Sequence, residues 1–236
     1  MVNNGANLFV DGDLNAVGNY LPHVSITDTI LGSINAANYP PAASDILMPA
    51  VDFNSASSSS LYNRADVVYT EKDFDDLMKA NQNLVLNDDI TYVEGDVELR
   101  GAQSLTINGL LVAERDFTIG FKNKWGSRQG PSNIHINYAT GTPAGVISGR
   151  HVSFKEYTGT VKVKGIFYAN DLMDVTNINP GPDNFDVEGG LIARKLTITG
   201  SWEPINITYN ASIIGSTLSS ATSSPTIIIE HWEEDY

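Results

Sequence analysis

Apolar residues separated by a single polar one punctuate the chain, and the motif recurs. One series runs Val24/Ile26, Leu84/Leu86, Leu105/Ile107, Ile134/Ile136, Val161/Val163, Phe185/Val187, Ile205/Ile207 and Ile227/Ile229. After a first gap of 60 residues, its steps are 21, 29, 27, 24, 20 and 22. The intervening residues are mostly polar: Ser25, Thr106, His135, Lys162, Asp186 and Asn206, with Val85 the exception. This is the alternation of a strand with one buried and one wet face. A second series follows, usually opened by glycine: GLLVA at 109–113, AGVIS at 144–148, GIFYA at 165–169 and GGLIA at 189–193. A third comes after it: Val97/Leu99, Phe117/Ile119, Val152/Phe154 and Leu196/Ile198.

Three short strands in ordered succession, repeated every 20–29 residues, predict a single right-handed parallel β-helix spanning residues 1–236. A lone turn cannot bury its apolar face, so turns must stack. A β-sandwich is the rival reading of many short strands, and the fixed order of strand types favours the helix. The phrase TYVEGDVELRG at 91–101 echoes LFVDGDLNAVG at 8–18. Both read as turns of one solenoid, with Gly12 and Gly95 at the corner between the second and third strands. The rhythm breaks over 36–83, which reads as an irregular insertion rich in Pro, Ala and Ser. Within it TEKDFDDLMKAN predicts one short α-helix near 71–80, capped by Thr70 with Asp73 at capping-box spacing and with Phe74, Leu77 and Met78 on one face. This helix is expected to be the only one of any length, lying on the solenoid or closing one end.

Charge then narrows the partners. Fourteen basic residues face 28 acidic ones, a formal net charge of −14. That argues against nucleic acid or an anionic membrane surface. The chain has no cysteine, hence no disulfide or thiolate metal site. No apolar run reaches the roughly 18 residues that a membrane span needs. The opening MVNNGANLFV lacks a signal peptide's basic start and apolar stretch. With a strand expected from residue 8, it reads as the part that follows a removed N-terminal anchor.

Candidate chemistry is sparse. His23, His135, His151 and His231 have no second histidine or carboxylate at metal-ligand spacing, and His135 is expected to point outward. Asp75/Asp76, Asp88/Asp89 and Glu233/Glu234/Asp235 are adjacent carboxylates, which suit solvated surfaces better than two acids facing across a cleft. Asp11, Asp13, Glu94 and Asp96 would form a like-charge ladder if the two similar phrases stacked, and a Ca²⁺ ion would relieve it. Tyr62, Tyr69, Tyr92, Tyr138, Tyr157, Tyr168 and Trp202 are candidates for a sugar-stacking surface, with Tyr92 and Tyr168 better read as core. There is no G-x-S-x-G elbow, P-loop or G-x-G-x-x-G. The sequons at 206–208 and 210–212 matter only in a secreted eukaryotic protein. No catalytic, cofactor-binding or metal-ligating residue is assigned.

VEGDVELRGAQSLTINGLLVAERDFTIG at 93–120, GGLIARKLTIT at 189–199 and IIIEHWEEDY at 227–236 resemble the β-solenoid ectodomains of PilX-like or minor-pilin-like bacterial pilus-assembly-associated surface proteins. A weaker similarity is to bactofilins, the polymerising β-helical cytoskeletal proteins. The resemblance implies a non-enzymatic structural or adhesion role at the cell surface, without catalytic residues or cofactors. Its partners would be other pilus or envelope proteins or a surface glycan, with the membrane reached only through an N-terminal anchor absent from this chain. The alternatives are a carbohydrate-active β-helix enzyme of the pectate-lyase kind and a filament-forming scaffold.

Overall fold

The computed structural model describes residues 48–121, 130–176, 178, 184–199 and 205–221, with short pieces at 2–3, 9–10, 14–15, 29–35 and 38. Its centre is a parallel β-solenoid of about five turns. Near the N-terminus lie β1 (Val2–Asn3), β2 (Phe9–Val10), β3 (Leu14–Asn15), β4 (Thr29–Ile30) and β5 (Ile34–Asn35). A short helix α1 (Leu61–Arg64), strand β6 (Val67–Thr70) and helix α2 (Glu71–Ala80) lead into the turns. The first turn is β7 (Asn83–Leu86), β8 (Ile90–Glu94) and β9 (Val97–Arg100). The second is β10 (Ser104–Ile107), β11 (Leu110–Ala113) and β12 (Phe117–Phe121). The third is β13 (Ser132–Ile136), β14 (Gly145–Ser148) and β15 (His151–Phe154). In the fourth and fifth turns the strands run on through the corners as β16 (Thr158–Thr176) and β17 (Phe185–Thr199). β18 (Ile205–Tyr209) and helix α3 (Ala211–Ala221) follow.

The three sequence series are the three faces. On the first face, Ile107, Ile136, Val163, Val187 and Ile207 lie in one parallel register. Leu111, Val146, Phe167 and Leu191 do so on the second. On the third, Leu99, Ile119, Phe154, Val175 and Ile198 align. Stacking equivalent positions puts like shapes on like, and the inward residues form one continuous apolar core. Phe154 sits edge-on to Phe167 at 5.1 Å and packs against Phe185 at 5.2 Å. At the corner between the first and second faces the backbones of neighbouring turns touch. A Cβ on Gly189, whose φ is +140°, would lie 1.9 Å from the Gly165 carbonyl oxygen, so only glycine fits.

α2 forms where expected. Thr70 Oγ1 accepts from the Asp73 N–H at 3.2 Å. Phe74 and Met78 enter the internal core beside Leu84 and Leu86, so the helix plugs the first-turn end of the solenoid.

Two expectations about the rest need correction. First, α2 is not the only sizeable helix: α3 has 11 residues. Its Ser- and Thr-rich sequence has modest helix propensity, but Asn210 Oδ1 caps it, accepting from Ser212 and Ile213 N–H at 3.2 and 3.3 Å. Ile213, Leu218 and Ala221 are buried, so packing outweighs propensity. Second, the described part of the expected insertion, residues 48–83, is not simply irregular. β6 is a strand of the second face, paired in parallel with β8. The stretch before it is a strap running back down the outside of that face. The Pro49 carbonyl accepts from Tyr168 Oη of the fourth turn at 2.9 Å. Phe53 lies against Gly149, after the third-turn strand β14. Asn54 Nδ2 donates to Glu114, after the second-turn strand β11, at 2.6 Å. Asp66 and Ile90 of the first turn exchange N–H donation, at 3.0 and 2.9 Å.

The strap explains why the second-face strands are buried on both sides. Ile90, Tyr92, Leu110, Val112, Ile147, Ile166 and Tyr168 point outward into a second apolar cluster, covered by Val51, Phe53, Leu61 and α3. β1 pairs in parallel with the end of β17, Val2 opposite Ile198. β1 is therefore laid against the fifth turn, and the strap runs from the fourth turn back to the base.

Candidate functional site

The densest set of polar side chains lies at the corner between the second and third faces. It is built by the residue just before the first inward residue of each third-face strand, Val97, Phe117 and Val152: Asp96, Asp116 and His151. Each carboxylate accepts the backbone N–H one turn on: Asp96 Oδ1 from Asp116 at 3.1 Å, and Asp116 Oδ1 from His151 at 3.2 Å. Stacked carboxylates repel unless cations intervene, and arginines from the same corners supply them. Arg115 Nε lies 3.1 Å from Asp96 and its Nη2 bonds Glu71 of α2. Arg150 Nη2 lies 2.8 Å from Asp116 and 3.7 Å from Asp96. His151 sits between carboxylates of the turns on either side, Nδ1 3.2 Å from Asp116 and Nε2 3.4 Å from Asp171. The result is a charged spine running from the plugging helix to the fourth turn. Gly95 turns the chain at φ +140°, and a Cβ there would be 2.5 Å from Glu71 Oε2. Its lack of a side chain lets α2 reach the spine.

Beside the spine, α2 and β9 enclose an open cleft of about 330 Å³ lined by Glu71, Lys72, Phe74, Asp75, Asp96, Glu98 and Arg100. Its charges are matched: Lys72 with Asp76, Asp75 with Lys79, Glu98 with Arg100.

On the first face the outward positions form ladders. Thr106, His135, Lys162, Asp186 and Asn206 stand in one register. Lys162 bonds Asp186, to which Asn206 Nδ2 also donates at 2.7 Å. Lys164 lies 3.3 Å from Glu188, which accepts from Asn210 at 3.0 Å. The Lys162 hydrogen bond holds the Asp186 carboxyl below the usual range, and the Asn210 and Lys164 bonds do the same for Glu188. At the corner to the second face Asn137 donates to Asn108 at 2.8 Å and Asn108 to Asn87 at 2.6 Å, an asparagine ladder through three turns.

The candidate residues of the sequence fall as follows. Asp11, Gly12 and Asp13 lie outside the described residues, as do His23, Trp202, Ile227, Ile229, His231 and the Glu233–Asp235 run. The flanking strands β2 and β3 pair with β4 and β5, not with the 91–101 turn, and Asp96 instead stacks on Asp116. The Asp11 and Asp13 half of the expected carboxylate ladder, and with it the Ca²⁺ reading, lies outside the described residues. Among the described residues no group of three or more His, Asp or Glu is arranged to hold a metal. His135 is outward and half-buried, as expected. Tyr92 and Tyr168 are fully buried, and burial pushes both phenols up, Tyr92 strongly. Tyr62 packs edge-on to the buried Tyr92 at 5.3 Å, and Tyr69 edge-on to Phe74 at 5.8 Å. The spine itself was missed because its partners are one turn apart, not neighbours in sequence. Reading down the column before each third-series pair would have found Asp96, Asp116 and His151.

Among the described residues no helix is long and apolar enough to cross a membrane. No protein-family model, no curated protein and no solved structure matches the chain, so its reading rests on the solenoid and its ladders.

Proposed function

We propose that this chain is a non-enzymatic β-solenoid that presents a stiff, acidic surface as a structural or adhesion element of a bacterial envelope. The observation that carries the reading is how the outward charges are used. They are paired up and down the stack, Lys162 with Asp186, Lys164 with Glu188, Arg150 with Asp116, and Lys155 with Asp174 at 2.8 Å. Acid–base catalysis asks for the reverse: groups converging on one substrate atom, with a carboxyl raised toward neutrality. Asp186 and Glu188 are shifted the other way. A stacked solenoid is also stiff along its axis, since each turn is held by its neighbours. The resemblance to pilus-associated ectodomains adds the setting and the partner class, envelope proteins or a surface glycan, and it is a fold-level analogy.

The test is turnover. The purified chain is incubated with pectins, alginates and peptidoglycan fragments, with and without Ca²⁺, and reducing ends and unsaturated products are measured. No product is expected. Turnover abolished by Glu98→Gln or Asp186→Asn would replace this reading with a lyase.

A further inference from the structure

The cleft between α2 and β9 has walls that are held in place by the chain itself. One wall is α2, tied to the spine through Glu71 and Arg115. The other is β9, where Arg100 is fixed from three directions. Its Nη2 bonds Glu98, its guanidinium lies 5.3 Å from the centre of the Phe121 ring, and its backbone N–H donates to Gln103 Oε1 at 2.7 Å. Gln103 Nε2 in turn donates to the Met78 carbonyl of α2 at 3.1 Å, which joins the two walls. Side chains fixed in this way lose little freedom when a ligand binds.

The lining charges are paired in one consistent way. Glu71 accepts through Oε2, Asp75 through Oδ2, Asp96 through Oδ1 and Glu98 through Oε2. Among the described residues no partner engages the second oxygen of any of the four. The charges are offset within the chain, yet four acceptor atoms remain, and Lys72 and Arg100 stand among them as donors. A ligand suited to this lining donates to carboxylates, accepts from cations and brings no net charge to disturb the pairs already made. A hydroxyl group both donates and accepts. The volume of about 330 Å³ is at the lower end of small-ligand pockets, which run from about 300 to 1,000 Å³ and are mostly apolar. This lining is mostly charged, so it selects a small ligand that is polar on every side. No group of three or more His, Asp or Glu among the described residues is arranged to hold a metal.

We propose that the cleft between α2 and β9 is a binding site for a short stretch of an uncharged saccharide. Its hydroxyls donate to the spare oxygens of Asp75, Asp96 and Glu98 and accept from Lys72 and Arg100. The inference rests on the adhesion role proposed above and gives that role its ligand class and its site.

The test is an amide NMR titration of the full chain with chitotetraose, cellotetraose and maltotetraose, and separately with pentalysine. At least one tetrasaccharide should shift the amides of 71–75 and 96–100 saturably, and pentalysine should not. Asp75 is 44% exposed on α2, so Asp75→Ala leaves the fold intact. It should weaken the saccharide about tenfold or more, the loss expected for a hydrogen bond to a charged group. Glu156→Ala removes the same charge from an exposed position after β15, outside the cleft, and should leave binding unchanged. Saturable shifts elsewhere on the solenoid, with the cleft amides still, would overturn this site and leave the adhesion role standing. No saturable shift with any saccharide, cleft shifts with pentalysine alone, or equal weakening by the two variants would also overturn it. Cleavage of a saccharide that shifts the cleft amides would uphold the site and overturn the non-enzymatic role instead.

Discussion

Replacing Ile136 with aspartate tests the stacking directly, because His135 beside it supplies the control. Ile136 is 1% exposed, with Ile107 below it and Val163 above it in register. Neighbouring strands lie about 4.8 Å apart, so the new carboxyl would meet aliphatic side chains on both sides. Losing the isoleucine forfeits about 1.5–3 kcal/mol of burial, and a shorter residue leaves a gap that brings comparable truncations to about 2–5 kcal/mol. The carboxyl must then stay protonated at neutral pH, about 3 units above its ordinary value, or about 4 kcal/mol at 1.36 kcal/mol per unit. Together these reach roughly 6–9 kcal/mol, against about 5–15 kcal/mol for a whole domain. Ile136→Asp is therefore expected to unfold the protein or leave it barely folded. Ile136→Val should lose only about 0.5–1.5 kcal/mol. His135→Asp sits outward between Thr106 and Lys162 and should change stability by about 0.5 kcal/mol or less. Denaturant titration followed by circular dichroism measures all three. If His135→Asp proved as damaging as Ile136→Asp, the inward–outward assignment of the first face would be wrong.

Other outcomes follow from the corners and ladders. Gly189→Ala should lower the melting temperature well beyond Gly141→Ala: both glycines have positive φ, with a strain of about 1–3 kcal/mol, but only Gly189 has a carbonyl in the way of a Cβ. Equal melting shifts would show that backbone strain alone matters. Arg115→Met should loosen α2 by under about 1 kcal/mol, since Arg115 and Glu71 are each about half-exposed, and high salt should erase the difference from wild type. Asp186 has a depressed folded-state value, so its contribution is present above the ordinary carboxylate range, near 4, and is lost as pH falls through the lower folded value. Melts between neutral and strongly acidic pH should show Lys162→Met flattening that loss, and an unchanged acid slope would contradict the Lys162–Asp186 ladder.

The first and third faces were legible in the sequence because they alternate, Val85 apart: Ile134, His135 and Ile136 announce their own orientation. The second face was legible as strands, but not in what covers it. Leu110, Leu111 and Val112 are apolar on both sides, and a run without alternation does not say which side meets the core. The covering strap and α3 have weak local signals, since their conformation is fixed by the surface they lie on. The charged spine was unreadable locally for a related reason. Its contacts span 19–44 residues, from Arg115–Asp96 to Arg115–Glu71, while motif reading looks within a few positions. Of the two glycine–aspartate phrases, the one at 91–101 spans β8 and β9 of the first turn, while Gly12 of the other lies outside the described residues. Resemblance between two phrases does not order them along a stack: β9 pairs with β12, whereas β2 and β3 pair with β4 and β5.

That order bears on how the chain folds. Val2 is opposite Ile198, 196 residues away (198 − 2). Closing such a loop in an unstructured chain costs about 4–5 kcal/mol in entropy alone, by the logarithmic dependence on length. β1 contributes two residues to the ladder, and a backbone hydrogen bond returns about 1 kcal/mol net. The pairing therefore cannot lead. It forms once turns one to five and the strap have shortened the effective path. Long-range pairing that forms last is also the least protected in the finished molecule. In native-state hydrogen exchange the amides of Leu105, Ile107, Ile134 and Ile136 should be slowest, exchanging only on global unfolding, while Val2 and Asn3 exchange through a local opening of much lower free energy. Equal protection at the two sites would mean that the N-terminal strand belongs to the same cooperative unit as the central turns, and the order of assembly argued from loop length would fail.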